Sequence, residues 1–315
     1  RISSNRIILS TVHSFINKRK EISGIKKIRT VIIDEASQLT EPMLIGILSD
    51  AERFILIGDH KQLPAVVSQS EKFCIVEDED LNKIGIYDLR VSLFERLFEI
   101  CKKNKWTESY GTLEYHFRMH NEIAELVNHN YNNKLKPALS SQTCAENVFA
   151  SLHSDIGRIL SKSRTIFIPT KQLSDEGAGS EEAEHILNIL KEFEKSGIEI
   201  SNDSIGIVTP WRKQINRLNK TLNRLSFFDK IQIDTIERFQ GSEKDIIFFS
   251  LCVYNVHQLK NFQSLTYDKS TDRKLNVALS RAKHNLIILG NDRILEKSPF
   301  YKEVLDDIRK NNGFL

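Results

Sequence analysis

Short apolar runs of strand length alternate with longer amphipathic stretches along nearly the whole chain, a rhythm that admits few folds other than parallel strands covered by helices. Up to about residue 112, RIILST and VIIDEA read as candidate buried strands, Thr40 can cap a helix whose first turn carries Glu41 and Pro42, and FILIGD returns as the next strand. VIIDEA and FILIGD end in carboxylates. Asp34, Glu35 and Asp59 are therefore expected at the carboxyl edge of a parallel sheet, where open α/β folds put their ligands. Residues 68–87 carry EDED and little periodicity, and read as a surface excursion before the helix SLFERLFEICKK.

A second α/β unit begins near Glu114, which divides the chain into 1–112 and 113–315. Its helices are expected at NEIAELVNHNYN, EEAEHILNILKEFEKSG, WRKQINRLNKTLNRL, DRKLNVALSRAK and YKEVLDDIRKNN, and its strands at RTIFIPT, IGIVTP, IQID, DIIFFSLCV and NLIILGN. Right-handed crossovers would stack these into a second doubly wound sheet. The polar segment from Asn255 to Asp272 breaks the rhythm and reads as a long loop.

At 315 residues, 40% of them hydrophobic, the chain can build two cores. Its opening, RISSNRIILSTVHSF, alternates like a strand and lacks the apolar core of a signal peptide, and no apolar run approaches membrane-spanning length. Cys74, Cys101, Cys144 and Cys252 lie far apart, without metal-ligand spacing, which favours reduced thiols. The expectation is an intracellular monomer with no membrane partner. A net charge of +3 is too small to announce a polyanion, although Lys18 to Lys20 could touch phosphate.

Six segments carry candidate chemistry: VIIDEASQ (Val31 to Gln38), LIGDHKQLP (Leu56 to Pro64), HFRMH (His116 to His120), IGIVTPWRKQ (Ile205 to Gln214), IDTIERFQGSEKD (Ile233 to Asp245) and LNVALSRAKH (Leu275 to His284). An acidic pair after a buried strand suits a nucleotide hydrolase, since Asp34 could hold Mg²⁺ through water while Glu35 orients the attacking water. Strands also commonly end in acidic loops. Gln62 is an uncharged donor and acceptor able to sense a γ-phosphate, or simply part of a turn between Gly58 and Pro64. Arg118 offers a planar fork for phosphate oxygens beside the π-face of Phe117, although arginines at helix starts are often structural. His116 and His120 do not make a metal site by spacing alone. Gly241 permits close backbone approach and Glu243 could accept from a ribose hydroxyl or relay to Arg118; the plainer reading is a β-turn. Arg281 reads as a helical residue whose apolar neighbours pack on the sheet and leave the cation facing outward. For nucleic acid the candidates are hydroxyls near strand ends, Ser10, Thr11, Thr209 and Thr235, with Trp211 as a stacking platform or a packing residue. No G-x-x-x-x-G-K-[ST] phosphate loop occurs in the sequence.

Taken in order, these segments resemble the superfamily 1 helicases of the nonsense-mediated decay, senataxin and immunoglobulin mu-binding type, from about Ile7 to Asn291. That resemblance implies two RecA-like parallel-sheet units, the first incomplete at its N-terminal side and the second complete, which clamp ATP between them and move along single-stranded RNA or DNA, usually 5′ to 3′. It assigns Asp34 to Mg²⁺, Glu35 to the attacking water, and Gln62, Arg118 and Arg281 to the γ-phosphate. Phe117 would stack on adenine, with Gln240, Gly241 and Glu243 on the nucleotide. Three positions depart from the family: Q-Y-R-M-H appears as His116-Phe117-Arg118-Met119-His120, with His116 and Phe117 in place of the usual glutamine and tyrosine, and Lys283 replaces a common second arginine. The chain alone is expected not to turn over ATP, as the C-terminal part of such a motor. A different class of reading is a helicase-like module that binds nucleic acid or a partner without turnover.

Overall fold

Every strand ladder among the described residues runs parallel, as the alternation of runs requires. The computed structural model describes residues 5–25, 27–171 and 179–315. Of the opening segment, residues 1–4 lie outside them. The chain divides into two compact units, Arg1–Thr112 and Leu113–Leu315.

The first unit contains α1 (Val12–Ile25), β1 (Ile28–Ile33), α2 (Glu41–Leu48), β2 (Ala51–Leu56), α3 (Glu79–Lys83) and α4 (Leu93–Lys103). β1 and β2 pair with Val31 opposite Phe54 and Ile33 opposite Leu56. Ile33, Ala36, Leu44, Ile47 and Leu93 form its core, with Val12, Phe15 and Phe94 packed against them. Ser92 caps α4 by accepting from the Glu95 N–H, and Arg96 pairs with Glu41 to tie α4 to the start of α2. Two expectations are corrected here. RIILST forms no strand: it pairs with no neighbouring strand, and Ile7 and Leu9 are exposed. Thr40 takes the extended N-cap conformation of α2, yet its side chain makes no capping hydrogen bond.

The second unit runs β3 (Tyr115–His116), α5 (Asn121–Asn128), β4 (Lys136–Pro137), α6 (Asp155–Leu160), β5 (Thr165–Pro169), α7 (Ser180–Ser196), β6 (Ile205–Thr209), α8 (Arg212–Leu222), β7 (Gln232–Thr235), α9 (Ile236–Phe239), β8 (Lys244–Ser250), α10 (Val256–Phe262), α11 (Arg273–Leu279), β9 (Ala282–Gly290), α12 (Asp292–Leu295) and α13 (Pro299–Lys310). β3 and β4 form a short pair, and the remaining strands form a five-stranded sheet in the order β5-β9-β8-β6-β7. Both faces of this sheet are covered, since Ile247 and Phe249 are as fully buried as Phe248 between them. α7 presents Ala183, Ile186, Leu187, Leu190 and Phe193 at helical spacing to a core that includes Ile166, Ile205, Ile207 and Ile287. Neighbours β6 and β8 send their connections in opposite directions, to β7 and β9, which makes a topological switch point at their carboxyl ends.

The expected loop from Asn255 to Asp272 instead contains α10. Asn255 caps it by accepting from the Gln258 N–H, and Leu259 and Phe262, one turn apart, bury its inner face. Close packing at the sheet centre is exacting. A Cβ on Gly206 in β6 would lie 2.7 Å from Ile247 Cδ1 and from Phe239 Cζ. Gly206→Ala is expected to destabilise the second unit by about 1–3 kcal/mol in urea unfolding, and an unchanged midpoint would show that these neighbours yield freely.

Candidate functional site

In the first unit the acidic pair follows β1 directly, at the carboxyl edge. Glu35 sits in the left-handed region (φ 53°, ψ 35°), uncommon for a residue with a side chain. Its N–H donates to Asp34 Oδ1 (2.9 Å), and the Ala36 N–H to the Ile57 carbonyl (2.8 Å), which pins the turn to the end of β2. Gln38 Nε2 reaches Glu35 Oε2 at 2.6 Å. A parallel chain of contacts joins the next segment: the Asp59 N–H donates to Ser37 Oγ (3.2 Å) and Gln62 Nε2 to Asp59 Oδ2 (2.9 Å). Gly58 is required there, because a Cβ would come 2.9 Å from the Ser37 nitrogen. The result is two exposed carboxylates beside a tethered glutamine. Ser10 and Thr11 are exposed as well; Thr11 Oγ1 accepts from the Ser14 N–H at the start of α1 (3.3 Å).

In the second unit the charged candidates gather where β8 and β9 begin, at the amino edge of the sheet. Glu243 immediately precedes β8, and Arg281 immediately precedes β9. The HFRMH turn is held to the same edge by the His120 N–H, which donates to the Lys283 carbonyl (2.6 Å). Arg118 Nε then meets Glu243 Oε2 at 2.5 Å, and Lys283 Nζ lies 3.4 Å from Glu243 Oε1. The Arg118 hydrogen bond, ahead of the partial burial that opposes it, holds the Glu243 carboxyl below its ordinary range, so Glu243 is a carboxylate at neutral pH. Phe117, 69% exposed, stands at the rim of a cavity of about 230 Å³ lined also by Arg118, His120, Gln142, Glu243 and Lys283. Among the described residues the buried Nε2 of Gln240 has no partner, and Gly241 (φ +83°) has open space where a Cβ would point.

Arg281 differs from expectation. α11 ends at Leu279, because Ala282 already pairs with Lys244 in the sheet, so Arg281 lies in the turn and not on the outer face of a helix. Its side chain is 2% exposed, with Nε donating to the Val277 carbonyl (3.0 Å) and Nη2 to Ser280 Oγ (3.0 Å). A buried guanidinium needs such acceptors.

Gln142 escaped the sequence reading. It sits in an irregular stretch with no periodicity to mark it, yet it organises the HFRMH turn: Oε1 accepts from the Ala138 and Leu139 N–H groups, and Nε2 lies within hydrogen-bonding distance of His116 Nδ1, the His116 carbonyl and the Met119 carbonyl. His120 is also engaged, Nδ1 accepting from the Glu122 N–H and Nε2 facing the Cys144 carbonyl; burial pushes its pKa down and favours the neutral ring.

The nucleic-acid candidates lie at the opposite, carboxyl edge. Thr209 and Thr235 end β6 and β7 as register partners. Thr209 is fully buried, its hydroxyl accepting from the Trp211 N–H (3.4 Å), whereas Thr235 and Trp211 are partly exposed. The length of β8, seven residues, separates the two edges by about 20 Å. Among the described residues, no helix is long and apolar enough to cross a membrane.

The two units define a mixed α/β protein with parallel sheets, an acidic pair at one carboxyl edge and an arginine cluster at one amino edge. A family profile described as an AAA domain matches residues 89–293, and a second with the same description matches residues 1–70. The chain belongs to this family, the AAA domains of superfamily 1 helicases. It is 30% identical over 285 residues to an uncharacterized ATP-dependent helicase of Methanocaldococcus jannaschii, covering 87% of this chain and 38% of that protein. The DNA polymerase alpha-associated DNA helicase A of Saccharomyces cerevisiae is 28% identical over 320 residues (94% and 44%), and the regulator of nonsense transcripts 1 homolog of Drosophila melanogaster 30% over 293 residues (89% and 22%). The chain thus spans less than half the length of each of these relatives.

Gln142→Ala removes the acceptor shared by the part-buried Ala138 and Leu139 N–H groups and the donor facing the His116 and Met119 carbonyls, and should cost about 1–3 kcal/mol in denaturant unfolding. Glu243→Gln, at a partly exposed ion pair, should cost about 0–1 kcal/mol. Equal costs would remove Gln142 as the organiser of the turn.

Proposed function

We propose that these residues form motor domains of an ATP-dependent helicase that couples hydrolysis to movement on single-stranded RNA or DNA, with 1–112 in the first RecA-like domain and 113–315 in the second. The observation that carries this reading is the segregation within the second unit: Arg118, Glu243, Lys283 and Arg281 gather at one sheet edge, and Trp211 and Thr235 stand at the other. A motor needs that separation, because nucleotide and strand must bind at once without competing.

The donor set suits a nucleoside triphosphate with Mg²⁺. Asp34 would hold the ion through water, and bound Mg²⁺ supplies neutralisation of phosphate charge. Glu35 orients the attacking water and Gln62 hydrogen-bonds at the γ-phosphate. Arg118 and Arg281 stabilise the charge that develops there; Arg281 does so by exchanging the Val277 carbonyl for phosphate oxygen. Phe117 offers its exposed ring to the base, Gln240 its unpartnered amide, Gly241 an open backbone, and Glu243 an acceptor for a ribose hydroxyl. Ser10, Thr11, Trp211 and Thr235 touch the strand, and Thr209 supports the turn that carries Trp211. The names of the relatives point to both DNA and nonsense transcripts, so both strand types are substrates to test. Movement 5′ to 3′ is the direction the resemblance implies.

In the full-length protein, Glu35→Gln is expected to bind ATP and lose strand-stimulated hydrolysis, and Arg281→Ala to lower kcat about 10²–10³-fold with little change in nucleotide affinity. Strand affinity should fall steeply with salt. Binding of a strand with no ATP turnover in the unsubstituted protein would favour a helicase-like binding module instead.

A further inference from the structure

Where β6 and β8 diverge, at the carboxyl edge of the five-stranded sheet, lies an enclosed carboxyl that has no part in the chemistry above. Glu182, in the first turn of α7, is buried to 3% exposure. It accepts the Ser250 hydroxyl at 2.5 Å and the Cys252 N–H at 2.9 and 3.1 Å. Gln214 Nε2 donates to Ser250 Oγ (3.0 Å) and to the Gly179 carbonyl (2.9 Å), which braces the same point from α8. Cys252 lies in the left-handed region (φ 48°), a conformation that a residue with a side chain keeps only where its surroundings enforce it. Between these two anchored residues, the Leu251 carbonyl accepts the indole N–H of Trp211 at 3.1 Å.

We propose that Glu182 is a positioning residue for strand binding: by fixing Ser250 and Cys252 it fixes the Leu251 carbonyl, and that carbonyl sets the attitude of the Trp211 ring on which a base stacks. The inference rests on the reading of Trp211 as a stacking platform. An indole held through its N–H keeps both rotations of its side chain fixed, so the ring loses little freedom when a base arrives. Trp211 also lies against Phe262, 6.2 Å between ring centroids and 50° between ring planes. Desolvation outweighs the Ser250 and Cys252 hydrogen bonds and pushes the Glu182 carboxyl up to about 8, which keeps it neutral at pH 7. A glutamine therefore resembles the native group more closely than its formal charge implies.

The chain has two tryptophans, so Trp106→Phe leaves Trp211 as the sole reporter. In that background, Glu182→Ala, Glu182→Gln and Ser250→Ala are compared by acrylamide quenching of the free protein, by thermal melting, and by titration with oligo-dT and oligo-U of about 15 nucleotides. Glu182→Ala is expected to raise acrylamide quenching and weaken strand affinity about tenfold, with loss of base-induced quenching. Glu182→Gln should stay close to the parent in all three, and Ser250→Ala, which removes one arm, should fall between. If Glu182→Ala does not fold, Ser250→Ala carries the test. Unchanged acrylamide access and affinity in the folded variants would overturn the proposal, as would a Glu182→Gln as damaging as the alanine. An indole loosened by Glu182→Ala in a parent that binds neither oligonucleotide would support the positioning link and overturn the nucleic-acid reading beneath it.

Discussion

Parallel pairing gives β5, β9, β8, β6 and β7 a single direction, so their sheet has one edge where the chain enters every strand and another where it leaves. Antiparallel pairing would mix the two. Because entry turns lie together, Glu243 and Arg281, far apart in sequence, stand at the starts of neighbouring strands, and Arg118 joins them through the turn that the His120 N–H ties to the Lys283 carbonyl. Because exit turns lie together, Thr209, Thr235 and Ser250 share the far edge. The helices that cover both faces leave only these two edges open to ligands.

Charge at the amino edge is handled in two ways. Arg118 and Lys283 share the carboxylate of Glu243 at the surface, where solvent makes the interaction weak and exchangeable. Arg281 is withdrawn, its guanidinium bound to Val277, Ser280 and, at 3.5 Å, the Ser242 carbonyl, so it bridges the turns entering β8 and β9. The first arrangement changes partners at little cost, whereas Arg281 would give up a buried hydrogen bond to the Val277 carbonyl to reach a phosphate oxygen.

Most of the second unit was legible because its strands are buried on both faces and read as continuous apolar runs, as in IIFFS and LIILG. RIILST has the same composition and forms no strand, since a run becomes a strand only when another lies beside it to receive its hydrogen bonds. α10 was hidden by its polar composition, although Asn255 with Leu259 and Phe262 was a visible cap and spacing. The order of site and strand was in the sequence too: Glu243 and Arg281 stand just before apolar runs and Thr209 and Thr235 just after them, which predicts opposite edges. Burial of Arg281 and the bonding of Gln142 were not legible, because each depends on partners brought from distant segments; Glu182 shares the buried helical face of α7 with Ile186 and Ile189, but its formal charge argued for solvent.

The left-handed turn at Glu35 carries a consequence for anyone who engineers this chain. A non-glycine residue in that conformation carries a cost of about 1–3 kcal/mol, which glycine avoids and asparagine largely escapes. Replacing Glu35 with either relaxes the backbone and at the same stroke deletes the carboxylate assigned to the attacking water. Selection for heat resistance alone would therefore enrich libraries in variants that lack the carboxylate proposed for the attacking water, and survivors should be assayed for ATP turnover before their melting points are ranked.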